Sequence, residues 1–321
     1  MIIAFFTPAI DVRGTCVALY DYAHYNEVLL HNTSIIFTVF DNVYDKQSIA
    51  VKKFTSRFLV IFLSKDLHHS FINSIIKSHK CDILYYIKYG TNDNFLNVQG
   101  IKTCIHCVFD MSDPHGDVYA GVSKQIARKF NKTLYVPHMI SLQPCIVQDN
   151  IRTKLNIPLD AVVFSRYGGM DTFNLEFCRK VIKQVVNEHS DRHFMFINTP
   201  EFYNHRQIHY LQPITTDIDK SIFIQASDAH LECSDLGHSF GLAIGEYSVH
   251  NKPVIAFTGP VWNTSHLEIL GDKVVGFQNE SDFYRILTTF DPKSFISADL
   301  NCYKEFSPEK VMASFKKVFI D

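Results

Sequence analysis

The chain alternates between short apolar runs and segments whose apolar residues return every three or four positions. In the first half the runs are IIAFF (2–6), SIIFTVF (34–40), FLVIFL (58–63), DILYY (82–86), TCIHCVF (103–109) and TLYV (133–136). In the second they are AVVFS (161–165), HFMFI (193–197), SIFI (221–224), PVIAF (253–257) and KVVGF (273–277). These runs are rich in β-branched and aromatic residues and lack the polar alternation of a half-exposed strand. They therefore predict parallel strands covered on both faces. Helical spacing fills the gaps: VALYDYAHYNEVLL from Val17, SFINSIIKSH from Ser70, VSKQIARKF from Val122, FNLEFCRKVIKQVVNE from Phe173 and FGLAIGEYSVH from Phe240. Strand alternating with helix predicts a doubly wound α/β architecture, and there is enough chain to build it twice.

Length agrees, since 321 residues exceed what one core usually supports. The polar stretch QPCIVQDNIRTKLNIPLDA carries Pro144 and Pro158 and predicts a linker near 145–158. The expected domains are 1–150 and 151–306. SPEKVMASFKKVF opens as a helix start, and this closing helix, 307–321, is expected to pack back on the first domain. Open parallel sheets bind ligands beyond the carboxyl ends of their strands. That directs attention to the loops around 7–15, 106–121, 136–141, 165–172, 231–246 and 258–265.

Composition narrows the class. With 46 % hydrophobic and 20 % charged residues the chain reads as packed and globular, not disordered. A formal charge of −2 gives no basic footprint for nucleic acid and no polybasic membrane patch. No apolar run approaches the ~20 residues that span a bilayer. The N-terminus has no basic stretch ahead of its apolar one, so no signal peptide is expected. Eight scattered cysteines predict reduced, mostly buried thiols in a cytoplasmic protein. Cys104 and Cys107, in CIHC, have no second ligand pair at finger-like spacing, which argues against zinc.

The richest stretch is GHSFGLAIGEY, 237–247, followed by SVHNKPVIAF. Ser239 is placed to cap a helix whose first amides belong to Phe240, Gly241 and Leu242. Such amides have no partner inside the helix and favour an anion. Gly241 removes a side chain where a phosphate would approach. Glu246 shares a face with Leu242 and can accept hydrogen bonds from two vicinal hydroxyls, as acids do for ribose in other nucleotide folds. The alternative is that Gly241, Ala243 and Gly245 serve tight packing on a sheet and Glu246 is solvated.

This stretch resembles the donor-site signature of GT-B glycosyltransferases, in particular retaining family 4 and its relatives. Their pattern is Glu-Gly-Phe-Gly-Leu, three further residues, then Glu, with a Pro-Val-Ile strand behind. SIFIQASDAHLECSD and TGPVWNTSHLEILGD resemble the segments before and after it. NIPLDAVVFSRYGG resembles the opening of the second domain, where an arginine meets the donor phosphates; here that is Arg166. DVYAGVSKQIARKF, LYVPHMISL and IIAFFTPAIDVRGT resemble parts of the first domain. The resemblance implies two Rossmann-like domains facing a cleft. It implies transfer from a UDP- or GDP-sugar, the substrate, to a carbohydrate or other hydroxyl-bearing acceptor, with retention and without a cofactor.

It also assigns roles. Glu246 holds the ribose; Ser239, Phe240, Gly241 and Leu242 form the helix end that, with Arg166, takes the diphosphate; His238 meets the sugar. Arg13, Gly14 and Thr15 in the first glycine loop, with His106 and His115, are the acceptor-side candidates. Two positions depart from the pattern. His238 stands where the first glutamate belongs, and Asp171 stands where a lysine often follows the phosphate arginine. No Asp-x-Asp sits at a strand end; Asp217-Ile-Asp219 reads as a turn, so no metal is expected. A non-catalytic nucleotide-sugar-binding module on the same scaffold is the rival reading. A nicotinamide oxidoreductase is disfavoured, because TPAIDVRGT after the first strand lacks Gly-x-Gly-x-x-Gly.

Overall fold

The computed structural model describes residues 1–40, 48–64, 69–94, 98, 100–145 and 151–321. The chain divides into two compact units, 1–141 with 306–321, and 142–305. The linker expected at 145–158 lies partly outside the described residues. Each unit is built on a six-stranded parallel sheet.

In the first unit the strands are β1 (Ile2–Thr7), β2 (Thr33–Phe40), β3 (Leu59–Ser64), β4 (Ile83–Lys88), β5 (Lys102–Cys107) and β6 (Val118–Gly121). They lie in the order β3-β2-β1-β4-β5-β6. Helices α1 (Gly14–Val28), α2 (Ile49–Thr55), α3 (His69–Ser78) and α4 (Lys124–Lys129) connect or flank them. Every residue of β4 is buried, as its unbroken apolar run requires for a strand covered on both faces. TLYV (133–136), expected as a strand, contributes one isolated bridge from Tyr135 to Gly121, and β6 forms the sheet edge instead.

The second unit holds α5 (Ile151–Lys154), β7 (Val162–Arg166), α6 (Glu176–Glu188), β8 (Arg192–Ile197), β9 (Ile208–Leu211), α7 (Asp217–Gln225) and β10 (Ala229–Glu232). It continues through β11 (Gly237–His238), α8 (Leu242–Val249), β12 (Val254–Phe257), β13 (Asn263–Thr264), α9 (Ser265–Leu270), β14 (Val274–Phe277) and α10 (Glu280–Thr289). The sheet order β14-β12-β10-β7-β8-β9 repeats the topology of the first unit. In both, the first strand has the second on one side and the fourth on the other. That switch point is where open sheets leave a crevice.

SIFI (221–224) is not a strand. Thr216 caps α7 through the Asp219 amide, Asp217 and Asp219 occupy its first turn, and SIFI is its last. An apolar run of four suits a buried helix turn as well as a strand, and the cap decides. The turn expected at Asp217–Asp219 is therefore helix, and the strand that fills this place is AHLE, β10. The exchange puts Glu232 at a strand's carboxyl end.

The last helix, α11 (Pro308–Phe315), starts on a proline and belongs to the first unit. Phe315 lies among Phe5, Tyr22, Tyr85 and Phe319, with ring centroids 5.1–6.4 Å away. In the second unit, α6 buries Cys178, Val181, Ile182, Val185 and Val186 at helical spacing against Phe164, Phe194 and Phe196.

Candidate functional site

The site grows from the carboxyl end of β10. Ala229 and Leu231 face the core cluster that contains α6, so alternation places His230 and Glu232 on the opposite side of the sheet. Beyond Glu232 the chain makes a short excursion and returns as β11, which pairs with β13 through Gly237–Asn263 and His238–Thr264. Gly237 has φ +62°, and a Cβ there would stand 2.0 Å from the Asn263 carbonyl oxygen. Only glycine tolerates both the left-handed backbone and that approach. This pairing aims His238 back at Glu232: its Nε2 lies 2.9 Å from Oε1.

Helix α8 then begins two residues later than the sequence predicts. Its N-cap is Gly241 at φ +87°, not Ser239, and the first intrahelical bond runs from the Gly245 amide to the Gly241 carbonyl. The unpaired first-turn amides are those of Leu242, Ala243 and Ile244. Ser239 and Phe240 are buried in the approach; the Phe240 carbonyl accepts a bond from the Tyr303 hydroxyl at 2.8 Å. A Cβ on Gly241 would meet Ile244, His266 and Tyr303 at 3.1–3.3 Å, so the helix end is shaped by a residue with neither side chain nor L-type backbone.

Glu246 is not solvated. It is buried one turn into α8, with Oε1 2.5 Å from the Lys220 ammonium and Oε2 accepting from the Tyr167 hydroxyl. Both oxygens are engaged, although a carboxylate offers about four lone-pair positions and can accept further bonds. Lys220 and Tyr167 were invisible as partners of Glu246 in the sequence, because they come from 26 and 79 residues away.

Arg166 ends β7 and is almost wholly buried. Its guanidinium donates to the carbonyls of Asn198 (3.2 Å) and Gly169 (2.6 Å) and to the hydroxyls of Thr199 (2.6 Å) and Thr172 (2.5 Å). These bonds tie two loops at the strand ends together. Both terminal nitrogens of Arg166, expected to meet a phosphate, are engaged with the protein, and the side chain supplies buried positive charge.

Glu232 and His230 feel that charge, and His238 and His266 stand by Glu232 in turn. Burial alone would raise the Glu232 carboxyl, but the nearby His238 and His230 outweigh it and hold Glu232 well below the usual carboxylate range. His230 is fully buried, 3.8 Å from Glu232, and burial lowers its pKa. Burial also pushes His266 down to about 3, helped by His238; its Nδ1 accepts the His238 backbone amide at 3.3 Å. Glu232 is thus ionised, while His230 and His266 are neutral at pH 7. No group of three or more His, Cys, Asp or Glu is arranged to hold a metal ion among the described residues.

In the first unit, Arg13 is the N-cap of α1 and Gly14 its first residue; Arg13 is exposed and pairs with Asp11. His106 lies elsewhere, in the core of its sheet. It is inaccessible to solvent, Nδ1 lies 2.6 Å from the Tyr85 hydroxyl, Nε2 lies 2.8 Å from the Val136 carbonyl, and burial lowers its pKa to about 4. A residue so enclosed cannot touch an acceptor, which corrects the sequence expectation. All eight cysteines are free, and Cys104 and Cys107 are buried on β5.

No family model matches the sequence, and no curated protein does. Among solved structures the chain is similar to Anabaena HepE in complex with UDP and glucose, at TM-score 0.75 and 12 % identity, over 98 % of this chain and 98 % of that one. Sucrose-phosphate synthase of Thermosynechococcus elongatus gives TM-score 0.67 and 14 % identity over 99 % and 94 %. S. aureus MnaA with UDP gives TM-score 0.63 and 15 % identity over 98 % and 96 %. The fold is GT-B.

Within a GT-B second domain, α8 and the end of β10 stand at the switch point beside β7. The sequence found Gly241, Leu242, Glu246 and His238 there, and the structure gathers all four around α8 and its approach. It missed Glu232, His230, His266, Lys220 and Tyr167. The one available signal was Glu232 in AHLECSD, an acid closing a short run, and it was obscured by reading the strand one segment too early. Among the described residues no helix is long and apolar enough to cross a membrane.

Proposed function

We propose that the chain is a glycosyltransferase that moves a sugar from a nucleotide-sugar to a hydroxyl of a carbohydrate or other acceptor. The observation that carries this reading is the α8 N-terminus, opened by Gly241 at the sheet's switch point in a GT-B domain. Its amides and the buried Arg166 charge suit a diphosphate leaving group, whose developing charge fixed donors and dipoles stabilise without a metal. Anabaena HepE and S. aureus MnaA, with the same fold, were solved holding UDP.

In this reading Leu242, Ala243 and Ile244 bind the diphosphate, and Glu246, steadied by Lys220 and Tyr167, accepts the ribose hydroxyls. His238 faces the sugar, and Arg13 and Gly14 belong to the acceptor side. The bond from the anomeric carbon to the diphosphate oxygen breaks, one to the acceptor oxygen forms, and the acceptor proton is released. Retention of configuration follows the family resemblance.

A non-catalytic nucleotide-sugar-binding module is the second reading, favoured by His238 where the family pattern has an acid. Incubation with UDP-, GDP- and ADP-sugars separates the two. Release of free nucleotide, accelerated by a glycan acceptor, is the expected result; tight binding with no turnover would favour the module, and no binding would refute both.

A further inference from the structure

Buried polar atoms without partners gather in one place. Both ring nitrogens of His230, Oε1 of Glu232, Oγ of Ser234, Nε2 of His238 and Oδ1 of Asn263 have no aligned hydrogen-bond partner among the described residues. Glu232 and His238 approach to 2.9 Å, yet off the hydrogen-bonding direction. No other part of either unit gathers as many such atoms among the described residues. Each buried polar atom left unpaired is costly, so a concentration of them calls for a polar group that the protein does not itself supply.

We propose that Glu232 and His238 form a hydroxyl-reading pair for the glycosyl group of the donor, with the carboxylate contributed by the end of β10 instead of by residue 238. This rests on the nucleotide-sugar reading above. The two side chains are held together by the built features of the loop: Glu232 by the last residue position of β10, His238 by its pairing with Thr264, and the turn between by Gly237.

The chemistry of the surroundings selects the ligand class. An anion alone would meet the Glu232 carboxylate, and a cation alone would meet the charge of the buried Arg166. A sugar hydroxyl donates and accepts at once, so one hydroxyl or a vicinal pair satisfies the carboxylate and the imidazole together. His230, His266, Arg166, Cys233 and Tyr303 are the other titratable and charged groups that interact with the pair. In the resemblance the family has an acid at position 238; here the acid and the position are separated, and the imidazole adds a donor that a second carboxylate would lack.

The test compares each nucleotide with its sugar ester by titration calorimetry: UDP with UDP-glucose, GDP with GDP-mannose, ADP with ADP-glucose. The pair bound by the unaltered protein is then measured with Glu232→Gln and His238→Gln; the second substitution, at a partly exposed side chain, guards against failure of the first to fold. The expected result is that the affinity advantage of the sugar ester over the free nucleotide falls at least tenfold in both variants, while free-nucleotide affinity changes less than twofold. A merely structural pair would weaken nucleotide and ester in parallel, and that outcome, or an unchanged advantage, overturns the proposal. Absence of binding to all three pairs by the unaltered protein would instead remove the nucleotide-sugar reading beneath it.

Discussion

Glu246→Ala is expected to lower the unfolding free energy by about 3–5 kcal/mol, the range for breaking a buried ion pair from one side. The Lys220 and Glu246 side chains are only 10 % and 7 % exposed and meet at 2.5 Å. Removing the carboxylate takes the Glu246 charge away from the buried ammonium and the acceptor away from the Tyr167 hydroxyl. The loss therefore comes chiefly from desolvated charge, not from missing contact area. Lys220→Met/Glu246→Met, which removes both charges at similar volume, is expected to regain most of that stability. Urea denaturation of the single and double variants measures it. A loss under about 1 kcal/mol for the single variant, the exposed-pair range, would mean that the pair is screened by solvent. The consequence for function is direct: a ribose role for Glu246 is to be read from nucleotide affinity in Glu246→Gln, because alanine confounds binding with folding.

Gly237→Ala is expected to cost about 2–5 kcal/mol and to abolish sugar-dependent binding. An alanine held at φ +62° pays the left-handed penalty of about 1–2 kcal/mol. Its Cβ would also stand 2.0 Å from the Asn263 carbonyl oxygen, and relieving such an overlap by backbone shifts costs about 1–3 kcal/mol more. The atom in the way is backbone, so no rotamer change relieves it. The β11–β13 pairing must open, and His238, which is held by that pairing, leaves Glu232. The paired measurements are urea denaturation and calorimetric titration with the nucleotide-sugar. Gly100→Ala is the control for left-handed strain alone, since Gly100 has φ +78° and no atom of the described residues lies within 4 Å of a Cβ. If Gly237→Ala matched that control in stability and bound the sugar normally, the pairing would have no part in shaping the site.

The doubly wound fold was legible because parallel strands buried on both faces leave a signal that needs no partner to be read. IIAFF is apolar throughout, DILYY and HFMFI are so after their first residue, and all became strands close to where they were expected. Failures came where a short run fits two structures. SIFI was decided by the Thr216 cap and not by its own hydrophobicity, and TLYV lacked a full set of partners at the sheet edge. The helix end near Phe240 was legible from its small residues, but its register was not: serine is the commoner cap, and the close neighbours that impose glycine at position 241 come from residues 266 and 303. Glu246 was found as an acid on the correct helix, whereas its engagement with Lys220 depends on the packing of α7 against α8. His230 and His266 carry no local motif, and Glu232 has only its place at the end of a short run. They meet because β10, β11 and α9 converge, and convergence of this kind is a property of the fold alone.

The central physical claim is that the free amides of Leu242, Ala243 and Ile244 at the start of α8 bind the diphosphate of a nucleotide-sugar. A crystal structure of the protein with the nucleoside diphosphate that binds it is the direct measurement. Diphosphate oxygens within about 3 Å of those amides are the expected result. Nucleotide lodged anywhere else, with the α8 terminus empty or covered by side chains, would contradict the claim.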